Sequence, residues 1–122
     1  MDHISYKNNN LFLENSSIEK IAKKNKTPFY LYSLRQLKSN FNHFKQEFKS
    51  TKPTVCFSVK SNPNITFLKT LKKLGSGADV VSIGELQLAL KAGISEKKIV
   101  FSGVGKTKEE LSYAISKKIL LI

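Results

Sequence analysis

From residue 27 onward, the chain alternates short apolar runs with stretches in which apolar residues recur at helical spacing. The runs are typical of buried strands, and their starts are evenly spaced, 20 to 24 residues apart. These starts lie near residues 54, 78, 99 and 119. One short amphipathic stretch fills each interval, so the pattern predicts a repeating unit of strand and helix.

Local signals mark where these helices begin and end. Asn64 is a suitable N-cap for a helix over about residues 65–74, and Gly75 supplies the left-handed stop. A second helix covers about residues 84–92. Thr107 and Glu110 have the spacing of a capping box, which predicts the start of a third helix.

An additional strand and helix are predicted ahead of the even repeat. Phe29–Tyr32 is rich in aromatic residues and follows Thr27-Pro28, a pattern that favours a short strand. Ser33 then begins a helix, with Gln36 as its capping-box partner. The helix carries a single apolar stripe. It comprises Leu34, Leu37, Phe41, Phe44 and Phe48.

The spacing of the strands determines the predicted fold class. Intervals of this length leave room for one helix and demand parallel strands joined by right-handed crossovers. An open doubly wound sheet also uses this unit, but the short uniform repeats favour an α/β fold of the (β/α)8 TIM type. Three to four β/α units make only a partial barrel. We therefore expect an incomplete barrel over residues 27–122, preceded by an N-terminal segment over residues 1–26 that contains a strand and a helix.

The formal net charge of +12 raises the possibility of nucleic-acid binding. The excess is almost entirely lysine, however, and it is spread along the chain rather than clustered with arginine or aromatic residues. We therefore expect no nucleic-acid partner. At 40% hydrophobic and 25% charged residues, the composition is that of a globular domain.

The sequence also bears on the cellular compartment. No apolar stretch approaches the roughly 20 residues of a membrane span, and residues 1–7 lack the apolar core of a secretory signal. Cys56 is the single cysteine and cannot form an internal disulfide, which fits a reducing environment. These features predict a cytoplasmic protein with no membrane partner.

The segment Gly103-Val104-Gly105-Lys106-Thr107 superficially matches a phosphate-binding loop. That motif requires a glycine at position 100, where this chain has Val100, so the pattern fails. We predict a tight turn before a capped helix, whose start could still meet an anion.

Two acidic residues lie near the second strand of the repeat. Asp79 opens a strand that is otherwise apolar, which costs free energy unless the carboxylate has a partner. Glu85 follows Ser82 by three residues at a predicted helix start, so a capping box explains it as well as a functional role does.

Lys60 is the strongest candidate for chemistry. It closes the apolar run 54–59, and the turn-forming Asn62 and Pro63 follow at once, so it lies at the edge where parallel strands present functional groups. A lysine held partly out of water favours a neutral amine, which can attack a carbonyl. The alternative is a strand-end lysine that extends its amine into solvent.

The segment 55–64, which contains Lys60, resembles the cofactor-lysine motif of the diaminopimelate decarboxylase family, within the barrel-type pyridoxal-phosphate decarboxylases of basic amino acids. Residues 27–32, 75–86 and 99–107 are similar to the family's barrel entry and to its second and third strand signatures. The chain departs from the common pattern in small ways. Phe57, Ser58, Ser61 and Ile83 stand where Tyr, Ala, Ala and Gly are common.

This resemblance implies a function. It implies that Lys60 forms a Schiff base with pyridoxal 5'-phosphate, and that Asp79 and Glu85 lie near that lysine and the cofactor. The implied reaction is decarboxylation of meso-2,6-diaminopimelate to L-lysine. It further implies that residues 1–26 join a separate β-domain, and that the full-length enzyme is a homodimer.

The family chain is much longer, so the resemblance covers only an N-terminal portion that we expect to be inactive alone or to need a complementing C-terminal fragment. Alternatives are a decarboxylase of ornithine, arginine or a carboxylated polyamine, and a non-enzymatic cofactor-binding half barrel. A basic nucleic-acid binder is the remaining alternative.

Overall fold

A computed structural model describes residues 3–122 of the chain. These residues divide into two compact units, the first ending at Ser39 and the second beginning at Asn40. The division falls inside a helix, and the separation of residues 1–26 from the rest remains a prediction. Within the described range, no helix is both long and apolar enough to cross a membrane.

The first unit contains an antiparallel meander in place of the single strand expected there. The strands are β1 (Ile4–Lys7), β2 (Asn10–Leu13) and β3 (Ser16–Ser17), in the order β1-β2-β3. The turn between β1 and β2 places Asn8 and Asn9 at positive φ, a conformation that asparagine tolerates. The predicted helix follows as α1 (Ile18–Lys24), and the Ser17 hydroxyl accepts a hydrogen bond from the Lys20 N–H.

The prediction of a strand over Phe29–Tyr32 is wrong. The rings of Tyr30 and Tyr32 stack with centroids 6.2 Å apart, but the segment has no regular secondary structure and joins neither sheet of the described chain. Aromatic residues favour a strand only where a neighbouring backbone pairs with it, and no such neighbour is present among residues 3–122.

The following helix begins where the sequence predicts. Helix α2 (Leu34–Glu47) starts after Ser33, whose hydroxyl oxygen accepts the Gln36 N–H at 2.9 Å. Its apolar stripe is buried only in part. Phe41 is buried, whereas Phe44 and Phe48 are exposed and pack against each other with ring centroids 4.9 Å apart.

The second unit contains a parallel sheet whose strands alternate with helices. In the described chain its order is β4-β5-β6-β7, with each strand parallel to its neighbour, as predicted. The strands are β4 (Cys56–Ser58), β5 (Gly77–Val80), β6 (Ile99–Phe101) and β7 (Leu120–Leu121). The helices between them are α3 (Ile65–Lys73), α4 (Ile83–Lys91) and α5 (Lys108–Ser116).

The predicted helix signals are present in the structure. The Asn64 side chain accepts the Thr66 N–H at 2.8 Å at the start of α3, and Gly75 follows the helix at a φ of 91°. Thr107 and Glu110 form both halves of a capping box at the start of α5. These local hydrogen bonds explain why the helix starts were predictable from the sequence.

The strand register separates the sheet into two faces. One face packs against the helices and is fully apolar, and we call it the covered face. Its buried strand residues are Ala78, Val80, Ile99 and Phe101, which cluster with Leu68, Leu86, Ala89 and Ala114 of the helices. The opposite, open face carries the alternate residues. They are Cys56, Ser58, Asp79, Val100 and Leu120.

Candidate functional site at the carboxyl edge of the sheet

The candidate site lies where β4, β5 and β6 end, on the edge at which parallel α/β sheets commonly present functional side chains. Strand β4 ends at Ser58, and the chain continues into a 3-10 turn, Val59–Ser61. This turn packs against β5 and α4. Fully buried Val59 anchors the turn in the core, and Lys60 next to it is exposed.

Lys60 is therefore held in position through its backbone, and its amine is not engaged by the rest of the site. Among residues 3–122, no hydrogen bond or ion pair ties the Lys60 Nζ to a neighbouring group. Two other lysines of this unit differ, because Lys98 Nζ donates to the Gly75 carbonyl at 3.2 Å and Lys106 Nζ donates to the main-chain oxygen of Ile122. The Lys60 amine is thus available to an external electrophile.

Asp79 has the partners that a carboxylate in a buried strand requires. Ser58 of β4 donates its hydroxyl to Asp79 Oδ2 at 3.3 Å, and Ser102 after β6 donates to Oδ1 at 2.5 Å. One hydroxyl comes from each side of β5, since the register places Ser58 and Val100 beside Asp79. The two bonds fix the carboxylate on the open face of the sheet.

Glu85 is directed at the backbone. Its Oε2 accepts the Val81 N–H at 2.9 Å, while the Ser82 hydroxyl accepts the Glu85 N–H at 3.3 Å. The Ser82 half of the predicted capping box is therefore present, and Glu85 stabilises the turn between β5 and α4. The structure brings Lys60, Asp79 and Glu85 to one edge of the sheet, with both carboxylates hydrogen-bonded to groups other than Lys60.

The segment after β6 forms a tight turn before α5, in agreement with the failed phosphate-loop pattern. A Cβ on Gly103 would lie 2.5 Å from the Val81 carbonyl oxygen, so only glycine allows this close approach to the end of β5. The start of α5 is already capped by its own Thr107 hydroxyl and Glu110 carboxylate. That helix start is therefore satisfied within the chain.

Cys56 lies on the open face beside Asp79. Burial raises the pKa of the Cys56 thiol above its usual value, and the negative charge of Asp79 raises it further. The thiol makes one weak contact, at 3.7 Å from the Lys98 carbonyl oxygen. These surroundings keep the sulfur protonated and unreactive, which is consistent with a structural role.

Three contributors to the site were missed at the level of sequence. Ser58 and Ser102 act as donors to Asp79, and Glu110 hydrogen-bonds the Ile83 N–H at 2.9 Å in addition to capping its own helix. The serines could have been found by aligning the three strands in register, because they lie at the carboxyl ends of strands that flank Asp79. The contact between Glu110 and Ile83 joins two helices, and the spacing of residues along the sequence does not indicate it.

Comparison with known proteins shows what the chain is similar to. The model of the pyridoxal-dependent decarboxylase family, pyridoxal binding domain, matches residues 34–122. Diaminopimelate decarboxylase from Helicobacter pylori strain J99 is 49% identical over 104 residues, which cover 85% of this chain and 26% of that protein. The enzyme of the same name from Aquifex aeolicus is 41% identical over 119 residues, covering 98% of this chain and 28% of that protein.

Solved structures are similar over the same range. Diaminopimelate decarboxylase from M. jannaschii, crystallised in complex with L-lysine, superposes with a TM-score of 0.92 at 37% identity, covering 97% of this chain and 29% of that chain. This similarity confirms the predicted fold class, a partial barrel of β/α units. The chain spans about a quarter of the length of the curated relatives that it matches.

Proposed function

The chain belongs to the pyridoxal-dependent decarboxylase family, and from this premise we propose that it is the cofactor-binding part of an enzyme that converts meso-2,6-diaminopimelate to L-lysine. The observation that carries the proposal is the position of Lys60. Its amine has no partner among the described residues, and the residue directly follows the half-buried strand β4 at the carboxyl edge of a parallel sheet.

The residues present fit pyridoxal 5'-phosphate at its aldehyde. Lys60 supplies the nucleophilic amine. The turn Val59–Ser61 holds this residue at the carboxyl edge of the sheet, and its amine forms no ion pair with the described residues. When bound, the cofactor supplies an electron-poor ring that accepts the electrons left by loss of carbon dioxide. The starts of α4 and α5 are capped by the chain's own side chains, so we assign no phosphate contact to either helix.

The two acidic residues take different roles in this proposal. Asp79, fixed by two serine hydroxyls, places a carboxylate on the open face near the end of β4, the strand that Lys60 follows. Glu85 holds the Val81 N–H and thereby shapes the turn that follows Asp79. We propose Asp79 as a cofactor-site residue and Glu85 as a residue that positions it.

The remaining expectations concern the whole protein. We propose an amino-acid substrate, a cytoplasmic location, and a working assembly that is either a homodimer or this chain with a complementing C-terminal fragment. Residues 1–26 would join a separate β-domain in that assembly. The support for this substrate over other basic amino acids is the identity of 37 to 49% to diaminopimelate decarboxylases, against 25% to a lysine decarboxylase of similar fold.

The cofactor site is tested by trapping. Pyridoxal 5'-phosphate is added to the chain, the absorbance near the visible edge is recorded, and borohydride reduction is followed by mass mapping of the modified lysines. We expect a reduced adduct concentrated on Lys60 that is lost in Lys60→Arg and kept in Lys69→Arg, which alters an exposed lysine of α3. Adducts spread evenly over many lysines would contradict the proposal.

The substrate is tested separately, in a preparation that contains all units of the barrel. Release of carbon dioxide is compared for meso-2,6-diaminopimelate, ornithine and arginine at equal concentration. Faster release from meso-2,6-diaminopimelate supports the proposed reaction. A preference for ornithine or arginine would replace it with that of a sister decarboxylase.

A further inference from the structure

Two strand-to-helix connections at the candidate site, each a loop with the strand and helix residues that flank it, are joined at three points. The β5–α4 loop (residues 81–82) follows Asp79, and the β6–α5 loop (residues 102–107) lies beside it. The three connections differ in kind. They are the Ser102 to Asp79 hydrogen bond, the close approach of Gly103 to Val81, and the hydrogen bond between Ile83 and Glu110.

The third connection comes from a single carboxylate that serves two helices. Glu110 Oε2 accepts the Thr107 N–H at the start of its own helix, α5, and Oε1 accepts the Ile83 N–H at the start of α4, each at 2.9 Å. Each oxygen satisfies a backbone donor that has no partner within its own helix. The side chain is thus a bridge between two helix starts.

The bridge goes beyond what a helix cap requires. A capping box is complete with the reciprocal bonds of Thr107 and Glu110, and these use only one carboxylate oxygen. The other oxygen reaches a residue 27 positions earlier in the chain. The two backbone N–H groups, that of Thr107 first, lower the pKa of Glu110, so the bridging group is a carboxylate at neutral pH.

Ile83 is one residue beyond the β5–α4 loop, and Glu85 follows on the same first turn of α4. Holding the Ile83 N–H therefore restrains the turn that follows β5, the strand that carries Asp79. The Ser102 bond to Asp79 and the Gly103 contact act from the same neighbouring loop, so all three connections restrain the β5–α4 loop from one side.

We propose that Glu110 is a positioning residue, which ties the start of α4 to the start of α5 and so holds Asp79 and Glu85 at the carboxyl edge of the sheet, the edge that also carries Lys60. This rests on the proposed function in one respect, namely that the two acids serve the Lys60 amine. The restraint itself requires no cofactor and can be measured without one.

The experiment compares three variants of the chain. Glu110→Ala removes both acceptor oxygens, so the Ile83 arm and the Thr107 arm of the bridge are both lost. Thr107→Val removes the hydroxyl that accepts the Glu110 N–H, which weakens the start of α5 but leaves the Ile83 arm in place. Glu109→Ala removes the carboxylate of the exposed neighbour of Glu110 and is the matched control.

Two readouts are collected for each variant. The first is hydrogen exchange of the Ile83 and Val81 amides, measured by NMR and corrected for the fraction unfolded. The second is the share of borohydride-trapped pyridoxal 5'-phosphate that maps to Lys60. In Glu110→Ala we expect the Ile83 amide to exchange about tenfold faster than in Thr107→Val, because a hydrogen bond to a charged group is lost. We also expect a smaller share of the trapped cofactor on Lys60. Glu109→Ala should match the wild type in both readouts.

The outcomes separate this inference from the proposed function. Equal Ile83 exchange in Glu110→Ala and Thr107→Val would overturn the bridge and leave Glu110 as an ordinary helix cap. Faster Ile83 exchange with an unchanged Lys60 share would overturn the positioning role. If the wild type shows no preference for Lys60, the proposed function fails, and Ile83 exchange alone then decides whether the bridge exists.

Discussion

The two faces of the parallel sheet have different tasks, although their residues alternate along the same short strands. On the covered face, Ala78, Val80 and Phe101 have no exposed surface and pack against three helices. On the open face, Asp79 lies among serine hydroxyls, and Leu120 is 60% exposed. A shift of register by one residue would exchange the two sets and bury the carboxylate.

The difference indicates where the stability of this unit originates. Burying a large apolar side chain contributes about 1.5–3 kcal/mol, so the covered face supplies most of the favourable free energy. The open face contributes little to that free energy. Its residues are therefore under weaker packing constraints, which leaves them available for polar contacts and chemistry at the carboxyl edge.

The largest expected effect comes from truncating the covered face. Ile99 is 1% exposed and belongs to the core cluster, so Ile99→Ala should lower the free energy of unfolding by about 2–5 kcal/mol. Val100 is the next residue and lies on the open face. Val100→Ala should cost less than about 1.5 kcal/mol, since a half-buried side chain leaves a smaller cavity. Urea titration measures both, and equal losses would contradict the division into faces.

The next effect concerns the closest backbone approach in the sheet. A Cβ on Gly77 would lie 2.2 Å from the Lys98 carbonyl oxygen and 2.7 Å from Cys56 Sγ, so Gly77→Ala should destabilise the unit by about 1–3 kcal/mol. Gly105→Ala is the control, because no atom lies within 4 Å of its Cβ. The control should be neutral or stabilising by up to about 1 kcal/mol. The midpoint temperature of thermal unfolding should therefore fall clearly in Gly77→Ala and stay unchanged or rise in Gly105→Ala.

A smaller effect reports on the charge of the open face. Because burial and then Asp79 raise the pKa of Cys56, alkylation by iodoacetamide should require higher pH than it does for a free cysteine. Asp79→Asn removes the charge and should move the pH profile of alkylation part of the way back. A profile unchanged by this substitution would show that the carboxylate does not act on the thiol.

The same pKa shift has a consequence for stability. The unfolded chain ionises its thiol near the ordinary pKa of 9.0 and the folded chain ionises it at higher pH, so the folded state binds more protons in between. The free energy of unfolding should therefore decrease as the pH rises through this window. Cys56→Ser should remove that part of the pH dependence.

The smallest effect is expected at the outer end of the open face. Leu120 is 60% exposed, and Leu120→Ser should change the free energy of unfolding by less than about 0.5 kcal/mol. Its neighbour Leu121 packs against the core cluster, so Leu121→Ser is the comparison and should cost more. Chemical denaturation of both variants tests whether the division into two faces extends to the last strand.

The extent to which the fold could be predicted depends on how far apart in the sequence the interacting residues lie. Helix starts at Asn64 and Thr107 are set by contacts over two or three residues, and the sequence therefore predicts them well. The parallel sheet was predictable because the interval between strands allows one helix and no hairpin. The strand expected over 29–32 depended on a partner strand, which local composition cannot specify.

The candidate site was predictable to a smaller extent. The positions of Lys60 and Asp79 could be inferred because each interrupts or ends an apolar run, and the resemblance to a known family added the roles that we propose for them. The bond between Glu110 and Ile83 could not be inferred, because it depends on how two helices lie in space. Single hydrogen bonds between distant segments have no signature in periodicity.

The constant register of the sheet has a consequence for how the unit is assembled. Cys56 pairs with Gly77, Ala78 with Ile99 and Val100 with Leu120, separations of 21, 21 and 20 residues. Each new strand therefore closes a loop of nearly the same length at nearly the same entropic cost. Because each pairing needs only the strand made just before it, the sheet can grow in step with synthesis on the ribosome, one unit at a time.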